Sequence, residues 1–174
     1  YVVGAHYDSV GNPGADDNAS GTAGVMEAAR VLSRFNFEST IIFIGFDREE
    51  QGLVGSDAYV DEHLSDNILG MVNMDMISYY AGTNKVKILG TAASADFKQA
   101  MADAVSLYSN SISPSIGSSS NNSDHYPFEA AGFKACFLHE YTFSPYYHKS
   151  TDSIDTPGCV NYDYAVDVTR AAVG

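Results

Sequence analysis

An apolar run in the first third of the chain ends abruptly in charged residues. Residues 40–46, Thr-Ile-Ile-Phe-Ile-Gly-Phe, are typical of a strand that is buried on both faces of a sheet. Two adjacent carboxylates, Glu49 and Glu50, follow directly after it. Such a pair is costly at the end of a buried strand unless a metal ion or a proton offsets its desolvation. Taken alone, the turn fits such a site and a solvated acidic loop equally well.

Apolar strands and amphipathic helices alternate along the whole chain. The predicted strands cover residues 1–6, 40–46, 68–74, 86–89 and 135–138. The predicted helices cover residues 18–34, 56–64, 95–107, 124–131 and 162–173. This alternation is typical of an α/β domain whose largely parallel sheet lies between helices, and the Ser- and Asn-rich residues 109–123 are predicted to form a loop. No linker interrupts the pattern, so residues 1–174 are predicted to form a single domain.

Both ends of the chain lie inside predicted secondary structure. The chain begins on a core-like strand at Tyr1 and ends in a helix at Gly174. We therefore expect a fragment of a longer protein, with any targeting signal outside it. No run approaches the roughly 18 consecutive apolar residues that cross a bilayer, so no membrane-spanning segment is predicted.

The chain is strongly acidic and poor in cysteine. A net charge of −13, from 22 acidic and 9 basic residues, disfavours binding to nucleic acid or anionic membranes and favours cationic partners, including metal ions. Two cysteines are too few for a disulfide framework. Cys136 lies in an apolar run and is predicted to be a buried thiol, while a bridge to Cys159 stays open.

Metal-compatible side chains follow three successive predicted strands. His6 and Asp8 follow the first strand, Glu49 and Glu50 the second, and Asp75 the third. Because ligands of open α/β sheets bind beyond the carboxyl ends of the strands, we expect these groups to meet at one edge. Histidine mixed with carboxylates suits Zn²⁺ or a similar ion, whereas Ca²⁺ takes oxygen ligands alone. The number of candidate ligands is sufficient for a pair of metals.

Several other enzyme classes lack their motifs in this sequence. The chain has no His-Glu-x-x-His, no Walker phosphate loop and no Gly-x-Gly-x-x-Gly. It also lacks the Gly-x-Ser-x-Gly elbow, which disfavours a serine hydrolase.

Six short stretches resemble, in their order, the zinc aminopeptidases of peptidase family M28. They are residues 4–9, 13–21, 46–53, 73–76, 123–125 and 147–152. Together these stretches span nearly the whole chain. The resemblance implies a three-layer sandwich of the zinc-peptidase type, with a mostly parallel mixed sheet flanked by helices. It also implies that the N-terminal part of the domain is missing from this chain.

The resemblance implies two zinc ions and five ligands. Asp17 would bridge the ions, with Glu50 and His148 completing one site and His6 and Asp75 the other. A carboxylate between two metals about 3.5–4 Å apart is the arrangement that co-catalytic sites need.

The resemblance also assigns roles around the metals. Glu49 would be the general base, and Asp8 would orient the His6 ring. Tyr147 matches a tyrosine that stabilises the oxyanion in some relatives. The resemblance also implies that the peptide bond between Asp17 and Asn18 can be cis.

The implied activity is hydrolysis of N-terminal residues from peptides that have a free N-terminus. Three alternatives remain open: a glutaminyl-cyclase-like enzyme with one zinc ion, a carboxypeptidase of the same family, and a receptor-like homologue without catalysis. The habit of relatives favours a secreted or periplasmic protein. The oligomeric state and the roles of residues 123–125 and 139–140 stay open at this stage.

Overall fold

The computed structural model describes all 174 residues. The chain forms six strands and five α-helices, which alternate except that the fourth strand follows the third directly. The strands are β1 (Val2–His6), β2 (Ile42–Phe46), β3 (Met71–Met74), β4 (Lys85–Leu89), β5 (Ser113–Ile116) and β6 (Ala135–Glu140). The helices are α1 (Ala19–Leu32), α2 (Val54–Glu62), α3 (Ala95–Tyr108), α4 (His125–Ala130) and α5 (Tyr162–Ala172). Short 3₁₀ turns cover Glu49–Gln51 and Ala92–Ser94.

The strands form one mixed sheet in the order β2-β1-β3-β6-β4-β5. All neighbours are parallel except β4 and β6, which run antiparallel. The predicted mostly parallel mixed sheet is therefore confirmed. Because β1, β2 and β3 are parallel neighbours, their carboxyl ends meet at one edge.

Helices pack apolar side chains against the sheet in two separate clusters. The larger cluster joins α1, α3 and α5 to the sheet through residues such as Val25, Val105 and Val168. The smaller one joins α2 and α4 through Val60 and Phe128. A sheet between two helical layers results, as the sequence pattern predicts.

The prediction that β2 is buried on both faces is wrong. Ile42 is 40% exposed and Gly45 is also exposed, whereas Phe46 is buried. The physical reason is position, since β2 is an edge strand of the sheet and β1 is its neighbour. Only the last residue of the run, just before the acidic turn, is held firmly in the core.

The predicted loop over residues 109–123 contains a strand. Within it, β5 (Ser113–Ile116) pairs with β4 at the other edge of the sheet. Its Ser-Pro-Ser-Ile sequence has little of the apolar alternation that signals a strand, and proline is tolerated at such an edge. Cys136 and Cys159 are both buried free thiols, so the bridge left open by the sequence is not formed. None of the helices combines the length and apolarity needed to span a bilayer.

The smaller cluster gives the first prediction. Phe128 is fully buried, and its ring meets that of Phe46 edge to face at 6.3 Å. Replacing Phe128 with Ala is expected to lower the free energy of unfolding by about 3–5 kcal/mol, because it removes packing and leaves a cavity behind the β2 end. Denaturant unfolding at fixed metal concentration measures the change.

The matched control is Phe35→Ala, since the Phe35 side chain is 62% exposed. Its expected change is within about 0.5 kcal/mol. Equal losses for the two variants would contradict the assignment of Phe128 to the core.

Candidate metal centre

The ends of the three parallel strands bring their polar side chains together. His6 is the last residue of β1, and Asp75 follows β3 directly. Glu49 and Glu50 lie in the 3₁₀ turn after β2. Parallel pairing in register places these strand ends side by side, as the sequence pattern predicts.

Two groups of three side chains have ligand atoms close enough to share an ion. In the first, the ligand atoms of His6, Glu49 and Asp75 all lie within 4.8 Å of one another. In the second, the same holds for the triplet Asp17, Glu50 and His148. All five predicted ligands and the predicted base therefore meet at one place.

Asp17 lies between the two groups. Its Oδ1 is 3.3 Å from Nε2 of His6, and its Oδ2 is 3.1 Å from Nε2 of His148. The same His148 nitrogen lies 3.0 Å from Oε2 of Glu50, and Nε2 of His6 lies 3.5 Å from Oδ1 of Asp75. One carboxylate therefore presents one oxygen to each group.

These separations fit a zinc site. With metal bonds of about 2.0–2.1 Å, neighbouring ligands of a tetrahedral zinc ion lie about 3.3 Å apart. Oδ2 of Asp17, Oε1 of Glu50 and Oδ1 of Asp75 are buried and form no hydrogen bond. Buried carboxylate oxygens without a donor are costly, and a cation removes that cost. The residues present therefore suit a divalent metal.

The raised pKa values of His6, Glu49 and Glu50 also favour a bound cation. Burial opposes the charged form of His6, but its contacts with Asp17 and Asp75 outweigh burial and raise its pKa to about 12. Burial, followed by the charge of Asp75, raises the pKa of Glu49 to about 9. Burial and the charge of Asp17 raise the pKa of Glu50 to about 7. Without a cation, protons must balance these crowded carboxylates.

Asp8 fixes the acidic turn. Its two carboxylate oxygens accept hydrogen bonds from the backbone N–H groups of Glu49 at 3.1 Å and Glu50 at 3.3 Å. The ring of His6 has Nδ1 at 3.1 Å from the Asp8 backbone oxygen and at 3.5 Å from its Oδ1. Asp8 therefore lies beside the His6 ring, where its predicted orienting role stays a prediction, and its carboxylate also holds both glutamates, which sequence reasoning did not foresee.

Asn18 joins the Asp17 loop to Asp75. Its side chain caps α1 by accepting from the Gly21 N–H, donates to the Met74 backbone oxygen at 3.0 Å and accepts from the Met76 N–H. The peptide bond between Asp17 and Asn18 is cis, as the resemblance allows. Sequence reasoning missed this positioning role, although Asn is a familiar helix N-cap.

The Ser123-Asp124-His125 stretch contacts the metal groups through a hydrogen bond to Asp75. The Ser123 hydroxyl donates to Oδ2 of Asp75 at 2.5 Å and accepts from the Asn73 amide at 2.7 Å. Asp124 is fully buried without a hydrogen bond, and burial raises its pKa to about 7. His125 stacks on Phe137 with ring centroids 4.8 Å apart. The stretch therefore orients Asp75 and packs the core. Sequence reasoning missed the role of Asn73, which holds the Ser123 hydroxyl. The available signal was a polar Asn side chain inside the apolar strand β3.

His139 and Glu140 belong to β6 itself, two residues beyond the predicted strand end. Glu140 is fully buried and accepts the backbone N–H groups of Ser144 at 2.6 Å and Tyr79 at 3.0 Å. Burial and the charge of Asp16 raise the pKa of Glu140 to about 11. This carboxyl therefore holds two loops in place and is not directed at the metal groups.

A cavity of about 190 Å³ opens onto both metal groups. Aromatic side chains form its other wall: Phe137, His139, Phe143 and Tyr147. The Tyr147 ring stacks on that of His148 with centroids 3.7 Å apart. Burial, together with the charge of Asp17, raises the pKa of Tyr147 above its usual range, so its hydroxyl keeps its proton. His148 itself has a left-handed backbone with φ of 57°, a conformation seen at functional sites.

Comparison with known proteins places these features in a family context. Aminopeptidase YwaD of Bacillus subtilis (strain 168) is 37% identical over 186 residues, covering 99% of this chain and 40% of YwaD. The crystal structure of the LapA aminopeptidase of Legionella pneumophila superimposes with a TM-score of 0.87 at 30% identity, covering 99% of this chain and 48% of LapA. That of BSAP, a zinc aminopeptidase from Bacillus subtilis, superimposes with a TM-score of 0.81 at 32% identity, covering 99% of this chain and 44% of BSAP.

The chain thus spans about half the length of these relatives or less. The family described as Peptidase family M28 matches residues 1–173. Since that match covers nearly every residue, including both metal groups, this chain belongs to peptidase family M28.

Proposed function

We propose that this chain is the catalytic part of an aminopeptidase that removes N-terminal residues from peptides with the help of two zinc ions. The observation that carries the proposal is Asp17, whose two oxygens face two different histidines at 3.3 and 3.1 Å. The similarity of this chain to the LapA aminopeptidase and to the zinc aminopeptidase BSAP supports it.

In this proposal Asp17 would serve both ions, one through each carboxylate oxygen. Glu50 and His148 complete one site, and His6 and Asp75 complete the other. When bound, the zinc ions would lower the pKa of a water molecule and polarise the scissile carbonyl. Each group would hold its ion through three side chains, and catalytic zinc sites of that kind supply a further position for water or substrate.

Glu49 is proposed to move the proton. It would take a proton from the attacking water and pass it to the amine that leaves. The base must be ionised, whereas burial and Asp75 raise the pKa of Glu49 to about 9 in the protein alone. That pKa falls when cations occupy the neighbouring groups, because opposite charge favours the ionised form.

The remaining polar groups bind and orient the peptide. The acidic cluster attracts the positively charged N-terminal amine, and Glu49 and Asp75 both line the cavity where it would lie. The Tyr147 hydroxyl, which keeps its proton, is proposed to donate to the oxyanion that forms at the carbonyl. The aromatic wall of Phe137, His139 and Phe143 would surround the N-terminal side chain.

Metal quantification with substrate tests checks this proposal. The full protein that contains this chain is expected to hold about two zinc ions, as co-catalytic sites do, and to hydrolyse aminoacyl-anilides. Chelation is expected to abolish turnover, and added zinc to restore it. Unchanged turnover after complete metal removal would refute the proposal.

Two other outcomes select between the alternatives. One zinc ion per chain, with cyclisation of N-terminal glutamine, would favour the hypothesis of a glutaminyl-cyclase-like enzyme. Hydrolysis of peptides with a blocked N-terminus and a free C-terminus would favour a carboxypeptidase. Binding of metal without any turnover across the substrate panel would favour the receptor-like reading.

A further inference from the structure

Asp17 and His148 come from loops that are far apart in the sequence, and one buried residue joins them. Asp152 follows His148 by four positions and is fully buried. Its Oδ1 accepts the backbone N–H of Asp16 at 2.8 Å, and its Oδ2 accepts that of Asp17 at 3.1 Å. The carboxylate thus spans two consecutive amides of the loop that carries Asp17.

Further bonds make this connection rigid. The backbone oxygen of Asp152 accepts the Ala15 N–H at 3.1 Å, and its own N–H donates to the Lys149 oxygen at 2.9 Å. The Cys159 thiol donates to Oδ1 of Asp152 at 3.3 Å. From the surface, the Asn12 amide donates to the same Lys149 oxygen at 3.2 Å. The turn after His148 is therefore closed on itself and tied to the Asp17 loop from two sides.

The negative charge of the buried Asp152 carboxylate calls for a physical reason. None of the ion pairs in the structure includes Asp152, so backbone N–H groups and a thiol are what its carboxylate contacts. Burying an additional carboxylate beside an acidic cluster lowers the free energy of unfolding. An amide or hydroxyl could accept one N–H at a smaller desolvation cost. Only a carboxylate, however, offers two equivalent acceptors to two adjacent N–H donors.

We propose that Asp152 is a positioning residue that sets the separation between Asp17 and His148, and through it the affinity of the ion held by Asp17, Glu50 and His148. This inference rests on the proposed function. Asp8 provides an internal parallel, because its two oxygens accept the N–H groups of Glu49 and Glu50 in the same way. The loops that carry Asp17 and Glu50 are therefore each anchored by a carboxylate that accepts two adjacent backbone N–H groups.

The test is Asp152→Asn in the full protein, because Asn keeps the shape but replaces one acceptor by a donor. Chelator competition is expected to show one of the two zinc ions bound about 10–100-fold more weakly, the usual effect of residues that support metal ligands. Turnover measured at low free zinc is expected to fall and to recover as zinc is raised. In the cobalt-loaded protein, the visible absorption of one site is expected to change.

Asp155→Asn is the matched control, since Asp155 lies in the same loop but is exposed. It is expected to leave both zinc affinities unchanged. If Asp152→Asn folds and binds both ions like the wild type, the inference fails while the proposed function stands. If the wild type itself binds no zinc, the proposed function fails.

A second variant covers the case in which Asp152→Asn does not fold. Asp152→Glu keeps the charge and both acceptors but moves them by one methylene. It is expected to fold and to weaken the same ion by a smaller factor, with recovery of turnover at high zinc. Unchanged affinity in a folded Asp152→Glu would overturn the inference.

Discussion

Replacing Glu49 with Gln is expected to lower kcat about 10²–10⁴-fold while both zinc ions stay bound. The side chain keeps its size, but an amide cannot accept the proton from water. The backbone N–H of residue 49 still reaches Asp8, so the turn is expected to hold its shape. Activity on an aminoacyl-anilide and metal content, measured on the same sample, check this expectation.

The geometry makes this variant decisive because Glu49 has two available roles. Its carboxylate lies within 4.8 Å of ligand atoms of His6 and Asp75, close enough to be a ligand itself. As the base, Glu49 leaves Asp17 to complete the His6 and Asp75 site. Loss of metal together with activity would identify Glu49 as a ligand, and an unchanged kcat would remove it from the mechanism. Glu62→Gln, an exposed change on α2, is the control and is expected to alter neither quantity.

The sequence predicted which side chains lie together in the structure, because each one lies at a strand end or in one of the family stretches. His6 and Asp75 follow from the rule that parallel strands deliver side chains to one edge. Asp17 and His148 lie in loops, and no local pattern marks them as ligands. Their prediction depended on the order of the family motifs.

The residues that sequence reasoning missed act through contacts between distant parts of the chain. The hydrogen bond from Asp17 to Asp152 joins positions 135 residues apart, and that from Asn73 to Ser123 joins positions 50 apart. A buried carboxylate that accepts two backbone amides has no sequence signature of its own. The exposure of β2 escaped prediction for a similar reason, because an apolar run does not reveal how many strands lie beside it.

Replacing Asp17 with Ala is expected to remove both zinc ions, whereas replacing His148 with Ala is expected to remove one. The asymmetry follows because Asp17 faces both histidines, while His148 approaches only the group with Glu50. Turnover is expected to fall about 10³-fold or more in Asp17→Ala, since the metals supply several kcal/mol of transition-state stabilisation. Metal analysis after dialysis at fixed free zinc measures the two stoichiometries.

His63→Ala is the control for His148→Ala, because the two side chains have the same 34% exposure and the partners of His63, Asp66 and the Tyr59 ring, belong to neither metal group. Burial and the charge of Asp75 raise the pKa of Asp17, whereas its contacts with His6 and His148 oppose that rise. Thermal melting of the metal-free variant and the metal-free wild type therefore separates loss of metal from a folding defect. If Asp17→Ala retains one tightly bound ion, as His148→Ala does, then Asp17 serves a single site and the shared-carboxylate arrangement is wrong.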